Sequence, residues 1–464
     1  MKLFCKRTLA VALAAGIVAP PAAFATNGMF LIGYGSKSRA MGGVGVALPQ
    51  DGLAAASNPA AMAEIPMNVM RVDAAGEFFN PPRAVRVEAT PISTRDPDTN
   101  NFESLKSGAN LYLIPAMGGA FKFNRDITVG MAAVGAGLGT RYDQSCNAAS
   151  PVGNYFNIAC DASPDRFSTV GVSLMQMQML PSVAYKVSRN HYLGASVALA
   201  VQTFRAYGIG AGALRNFSSE PDKLSNNGND WSYGAGFRLG WLGKFFDERV
   251  NVGLNYSSRV YMTKFKDYEG LFAEGGDFDI PENYALGIAV MPTDKLTVAF
   301  DVQRIEWNSI RSIGNPGPNV NDTVNSFNPL CPNTQINTAP ECQLGGKYGW
   351  GFGWENQTVY KLGISYDYNS QWTFRVGYNY AESPIQENEI LFNTLAPATV
   401  EHHVTFGLSY RPVSNPNLEI SANYMHAYKN TIKGKAAFPA GAVAGDAAAS
   451  MYQNSLGVTI GYKL

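Results

Sequence analysis

The 464-residue chain is short of nearly everything that soluble catalysts and nucleic-acid binders are made of. Only 16% of its residues are charged, and 36 basic side chains balance 36 acidic ones. There is no basic face for a polyanion, so no nucleic-acid partner is expected. The four histidines, His191, His402, His403 and His426, have no GxSxG-type serine to serve, which leaves hydrolase chemistry without a nucleophile. Five cysteines occur without CxxC spacing, and neither a metal site nor a cofactor is expected. Beyond Ala25 no unbroken apolar run approaches the roughly 20 residues of a membrane helix.

What is present begins with MKLFCKRTLAVALAAGIVAPPAAFA: Lys2, Lys6 and Arg7, an apolar run from Leu9, then Ala23-Phe24-Ala25. This is a secretory signal peptide over residues 1–25, with the mature chain starting at Thr26. Cys5 leaves with it, and the loss of three cations tips the mature chain slightly acidic. An exported chain that belongs in a membrane yet has no membrane helix must be a closed barrel, because only helices and barrels satisfy every backbone group in lipid. The 47 Gly, 23 Tyr and 25 Phe, with a mean hydropathy of −0.09, suit greasy outer rows alternating with small or polar inner rows.

The alternation is explicit at the C-terminus, where Leu456, Val458, Ile460, Tyr462 and Leu464 oppose Ser455, Gly457, Thr459, Gly461 and Lys463. It recurs in Trp372 to Tyr380 and in Ser232 to Trp241. Such stretches predict strands at 68–79, 111–123, 127–138, 172–187, 191–204, 232–243, 250–261, 281–291, 296–306, 357–367, 372–381, 402–411, 417–428 and 452–464. That is an all-β chain, a transmembrane antiparallel β-barrel of about 14 strands over residues 68–464. Short connections such as Asn124-Arg125-Asp126 and Ser188-Arg189-Asn190 alternate with long ones, of which 139–171 and 307–356 are the largest. Short turns on one rim and long loops on the other mark an outer-membrane barrel of a Gram-negative bacterium, with both termini in the periplasm. A secreted soluble β-protein has no reason to sort its loops in this way.

One stretch fits neither strand nor helix. Gly33 to Ala60, GYGSKSRAMGGVGVALPQDGLAAASNPA, holds six glycines and two prolines and is too apolar for a linker. It belongs inside the barrel as a hatch, or plug, over residues 26–67, its free backbone groups bonded to the wall. The run TNGMFLIGYGSKSRAMGGVGVALPQDGLAAASNPA, with Asn58-Pro59-Ala60, followed by FDIPENYALGIAVMPTDKLTVAFDVQRIEWN and YKLGISYDYNSQWTFRVGYNYAESP, resembles the FadL family of outer-membrane transporters for hydrophobic compounds. The resemblance implies passive uptake, not catalysis, with Gly42, Gly43 and the Asn58-Pro59-Ala60 triplet in the gating segment. It also implies that Gly135, Gly137 and Gly139 kink the third strand and open the wall sideways; an ordinary turn into a long loop is the competing reading.

Alternation sends Arg71, Lys122, Arg238, Asp301, Lys361, Asp367, Arg375 and Glu419 inward. Each either pairs within the barrel or awaits an anionic ligand. Arg375, in the family-like WTFRVGY, leads the candidates for a ligand carboxylate, followed by Arg238 and Lys361. Cys146, Cys160, Cys331 and Cys342 allow three pairings, the closures within each loop being the most readily formed. The acidic run Asp267, Glu269, Glu274, Asp277 and Asp279 is a solvated loop or a calcium or lipopolysaccharide contact. Phe156, Leu271, Phe272, Trp350, Phe352 and Trp354 are apolar loop residues suited to collecting a greasy ligand. The terminal Ile460, Tyr462, Leu464 pattern resembles the signal read by the barrel assembly machinery. The expected ligand is a long-chain fatty acid. An aromatic or alkane hydrocarbon is the alternative, and a general diffusion porin or a lipid hydrolase are the readings from other classes.

Overall fold

A computed structural model describes residues 27–88, 94, 101–145, 167–209, 212–317, 331, 339–436 and 445–464. Residues 1–25, expected to be a signal peptide, and Cys146, Cys160 and Phe156 lie outside the described residues.

Fourteen strands close into an antiparallel barrel, four of them interrupted. They are β1 (Met70–Asn80 and Arg83–Val87), β2 (Leu105–Lys106 and Tyr112–Lys122), β3 (Ile127–Gly139 and Tyr142–Ser145), β4 (Phe167–Ser188), β5 (His191–Tyr207), β6 (Asp230–Phe245) and β7 (Val250–Ser257 and Tyr261–Met262). The second half has β8 (Asn283–Thr293), β9 (Leu296–Ile305), β10 (Gln357–Asp367), β11 (Trp372–Ala381), β12 (His402–Tyr410), β13 (Leu418–Ala436) and β14 (Gly445–Lys463). Each strand pairs with the next. The barrel closes where β1 meets β14, from Arg71 opposite Lys463 to Asn80 opposite Asn454. The break in β1 falls at Pro81-Pro82, which bring no N–H to a ladder.

The strand count and the sorting of connections agree with the alternation. Along β14 the side chains of Leu456, Val458, Ile460 and Tyr462 are exposed on the outer face, and Ser455, Gly457, Thr459 and Gly461 are buried. Several strands run further than the apolar pattern does. β13 and β14 continue as a hairpin from Asn430 opposite Met451 to Ala436 opposite Gly445. There NTIKGKA pairs with GDAAASM, and with no lipid to face, the greasy row is absent.

The interior is filled by residues 27–66. They form a short helix (Gly35–Ala40) and two 3-10 turns (Ala54–Ala56 and Pro59–Glu64), most of them buried. Small inward residues on the wall make room. A Cβ on Gly240 would collide with the Asn58 side chain, and one on Gly377 would meet the backbone of Met41 and Gly42. This explains why glycine occupies inner positions of strands, where it otherwise weakens pairing.

Candidate functional site

The N-terminal segment is held by inward-facing charges. Asp301 accepts the backbone N–H of Gly45 (2.8 Å) and Val46 (3.1 Å), and Asp73 accepts that of Gly52 (2.7 Å). Arg238 donates to the Ala56 carbonyl (2.5 Å) and to Gln178 Oε1 (2.8 Å), and Lys122 donates to the Ala63 carbonyl (3.0 Å). Glu419 is the centre of a buried cluster. It pairs with Lys37 of the segment, with Arg71 (3.4 Å) and with Arg411 (2.6 Å). Arg39 of the segment pairs with Glu77. Asp73 and Glu77 were not singled out from the sequence, although the Arg71, Asp73, Ala75, Glu77 alternation places them on the inner face.

Asn58 carries the local geometry of its triplet. Pro59 keeps it extended (φ −158°, ψ 114°), so its side chain caps the following turn by accepting Ala60 N–H (3.0 Å). Its amide donates to Val46 O (2.7 Å) within the segment and to Trp241 O (3.0 Å) on β6. Gly42 and Gly43 have positive φ (68° and 90°), and the Gly42 N–H donates to Thr405 on β12 (2.9 Å). Asn58→Ala therefore removes three hydrogen bonds of roughly 0.5–1.5 kcal/mol each. It should lower uptake while leaving heat-resistant migration of the barrel on gels unchanged; loss of the folded band would mean that the triplet serves assembly.

Above this segment lie two cavities. The first, of about 50 Å³, is polar and lined by Lys361, Arg238, Asn255, Gln178 and Gln303 together with Phe30, Tyr34 and Val46 of the segment. Lys361 is buried and stands opposite Asp301 in the ladder, attracted by that carboxylate, whose Oδ2 accepts the N–H groups of Gly45 and Val46. Among the described residues Lys361 makes no ion pair or hydrogen bond. Arg375 lies elsewhere, three residues from the short-turn end of β11, where Nη1 donates to Ser409 Oγ (2.7 Å). Asp367, at the same rim, accepts from Thr373 (2.5 Å).

The second cavity, of about 30 Å³, sits under the long loops. Its walls are Leu138, Val172, Leu174 and Phe204 from the barrel and Leu271, Phe272, Leu344, Trp350, Phe352 and Phe392 from the loops. Four of the apolar loop residues expected to gather ligand are thus brought together. Trp354 is one layer further in, edge-on to Trp307 (5.3 Å), which packs on Phe30 of the N-terminal segment (4.9 Å). Cys331 and Cys342 are bonded, with Cα atoms 5.4 Å apart. Four of the five acids of the run are in ion pairs: Lys223 with Glu269 (2.6 Å), Arg259 with Asp279 (2.6 Å) and Asp277 (3.7 Å), and Arg311 with Glu274 (3.2 Å). Among the described residues no group of three or more His, Cys, Asp or Glu could hold a metal ion.

Glu389, in the loop that supplies Phe392, is buried and accepts the Gly317 N–H (2.6 Å), with no cation partner among the described residues. Burial pushes its carboxyl up to about 7. An acid whose folded pKa is raised contributes stability that is present at low pH and lost as pH rises through the folded value. The loop cap should therefore loosen between about pH 5 and pH 8, by up to roughly 3 kcal/mol at one unit per 1.36 kcal/mol. Hydrogen exchange of residues 385–395 checks this, and Glu389→Gln should flatten the dependence.

Beside the apolar cavity the wall is not continuous. β1 pairs with β2 from Met70 opposite Phe121 to Phe79 opposite Tyr112 and again at Val85 opposite Leu105, and β4 pairs with β3 past Gly139 to Ser145 opposite Phe167. The β2–β3 ladder, however, stops at Ala116 opposite Val134. Pro115, the next residue on β2, has no N–H to contribute. Leu138, on the part of β3 that pairs with β4 but not with β2, lines the apolar cavity. Val172 lines both that cavity and a larger one of about 850 Å³, bounded by Gly108 to Tyr112 and Gly139 to Arg141.

Fold and site together define a plugged outer-membrane β-barrel whose loops enclose an apolar cavity beside an opening in its wall. The chain belongs to the outer membrane transport protein family (OMPP1/FadL/TodX), whose model matches residues 11–462. It is a family of outer-membrane transporters of hydrophobic compounds. Among solved structures, the fold is similar to that of a Pseudomonas aeruginosa FadL homologue (TM-score 0.65, 17% identity, 94% of this chain and 99% of that one). It is also similar to the P. putida toluene transporter TodX (0.63, 17%, 94% and 99%) and to the Ralstonia pickettii toluene transporter TbuX (0.59, 20%, 93% and 98%). A comparison with curated proteins found no match.

Proposed function

We propose that the protein takes up long-chain fatty acids passively, with the N-terminal segment acting as a hatch. Ligand gathers in the apolar cavity under the loops and leaves through the β2–β3 opening or past the hatch. The observation that carries this reading is Val172, which lines both the apolar cavity and the larger cavity along the opening. A fatty acid is favoured by Lys361, a buried cation that faces Asp301 across the ladder without a direct ion pair or hydrogen bond among the described residues, and that lines the lumen cavity with Arg238. A carboxylate that loses hydration on entry needs such a group. In this reading Arg375, held by Ser409, yields to Lys361 as the first carboxylate ligand.

Uptake of a neutral aromatic or alkane is the second reading. It is supported by the lining of the apolar cavity, which has no charged side chain, and by the toluene transporters among the solved relatives. A general diffusion pore is disfavoured by the filled lumen. Contact of the outer loops with lipopolysaccharide, and insertion by the assembly machinery through the C-terminal pattern, belong to the same proposal. Extraction of the purified protein followed by mass spectrometry tests it: co-purifying fatty acids are expected, and neutral hydrocarbons alone would move the reading to the second ligand class.

A further inference from the structure

The opening between β2 and β3 is closed at its upper end by the Gly108 N–H donating to the Arg141 carbonyl (2.7 Å) and the Arg141 N–H donating to Ser107 Oγ (3.0 Å), together with Tyr112 of β2 and a side chain from a third strand. Arg83 on β1, 3% exposed, donates from Nη1 to the carbonyl of Gly139 (2.7 Å) and to that of Ala109 (3.4 Å). Gly139 ends the first segment of β3, and Ala109 lies just before the long segment of β2. One guanidinium thus holds both lips of the opening. Tyr112 does the same more weakly, its hydroxyl donating to Ala109 O (2.6 Å) and lying 3.5 Å from Gly139 O. Arg83 has no carboxylate partner among the described residues, and its Nη2 is buried without a hydrogen bond. Its partners are two carbonyls and the Tyr112 hydroxyl, all neutral, whereas a buried charge is normally paired with an opposite one.

The bridge is also tied to the cavity wall. Thr140, the residue after Gly139, donates to the Leu395 carbonyl (2.6 Å), and Tyr142 to that of Thr394 (2.9 Å). Leu395 lines the apolar cavity. A ligand that displaces Leu395 must pull on Thr140, and so on the carbonyl that Arg83 holds.

We propose that Arg83 is the latch of the lateral opening, a positioning residue that sets how readily the β2 and β3 lips separate when the apolar cavity fills. This inference rests on sideways release, and the test separates the two. Spin labels at Leu113→Cys and Ala136→Cys report the width of the opening in the full-length protein in bilayers, and the initial uptake rate of a labelled fatty acid is followed in cells. Arg83→Ala should lengthen and broaden the 113–136 distances and raise uptake several-fold, with Arg83→Lys restoring most of the native distribution. Arg83→Gln carries the test if the alanine variant does not reach the membrane. An unchanged distance distribution in a folded Arg83→Ala or Arg83→Gln barrel would overturn the latch. Independently, a short bifunctional crosslink between Pro115→Cys and Gly135→Cys should stop uptake; uptake that persists through it would overturn sideways release itself, whatever Arg83 does.

Discussion

Glu419→Ala should turn a sealed barrel into a leaking one. The carboxylate is 3% exposed and serves Lys37, Arg71 and Arg411 at once, so its loss strands the buried Lys37 and Arg71, whereas Arg411 is half-buried and reaches water. Removing one partner of a buried ion pair costs about 3–5 kcal/mol, more than any single hydrogen bond that holds the N-terminal segment. Arg71 keeps Asp73 (2.6 Å), and Lys37 keeps only the Gln50 carbonyl (2.9 Å). The damage therefore concentrates on the helix Gly35–Ala40. Cells carrying the variant should admit large hydrophilic antibiotics, and residues 35–45 should become open to protease, while the strands keep their heat-resistant gel migration. Glu419→Gln should leak less. A variant as tight and protected as the parent would show that the segment is held by its backbone contacts alone.

Lys361→Ala is expected to separate acids from neutral ligands. If the lumen cavity receives a carboxylate, losing its ammonium partner should weaken long-chain fatty acid binding by about 1.5–3 kcal/mol, the range for hydrogen bonds to charged groups. That is roughly a tenfold to 150-fold rise in Kd. An alkane of the same length should bind almost as before. Arg238→Ala should weaken both ligands, because that guanidinium also holds Ala56 of the N-terminal segment, and Arg375→Ala should change little. Equal losses for acid and alkane would make Lys361 a part of the wall, and no loss for either would favour hydrocarbon uptake.

The barrel could be read from the chain because lipid imposes a period-two pattern on every membrane-crossing residue, as in Leu456 to Leu464. Where lipid ends, the pattern ends, and the hairpin through Asn430–Met451 was invisible for that reason. The inner face was legible as a set of charges but not as pairs. Nothing in the spacing of Asp301 and Lys361 says that Gly45 and Val46 bond to the first and that the second makes no direct hydrogen bond. Which cation faces a cavity depends on how residues 27–66 coil, and glycine-rich irregular backbone has no period to read. The same limit hid Arg83, since the two carbonyls it binds carry no side-chain signature. The opening itself was half legible: Gly135, Gly137 and Gly139 drew attention to β3, whereas the ladder ends opposite Pro115 on β2.

The most direct test of hydrophobic uptake is a paired rate measurement. Initial entry of a labelled hydrophobic compound is followed beside that of a hydrophilic solute of similar size, in cells with and without this protein. Saturable acceleration of the hydrophobic compound alone is predicted; equal acceleration of both would mean an open aqueous pore and would contradict the account.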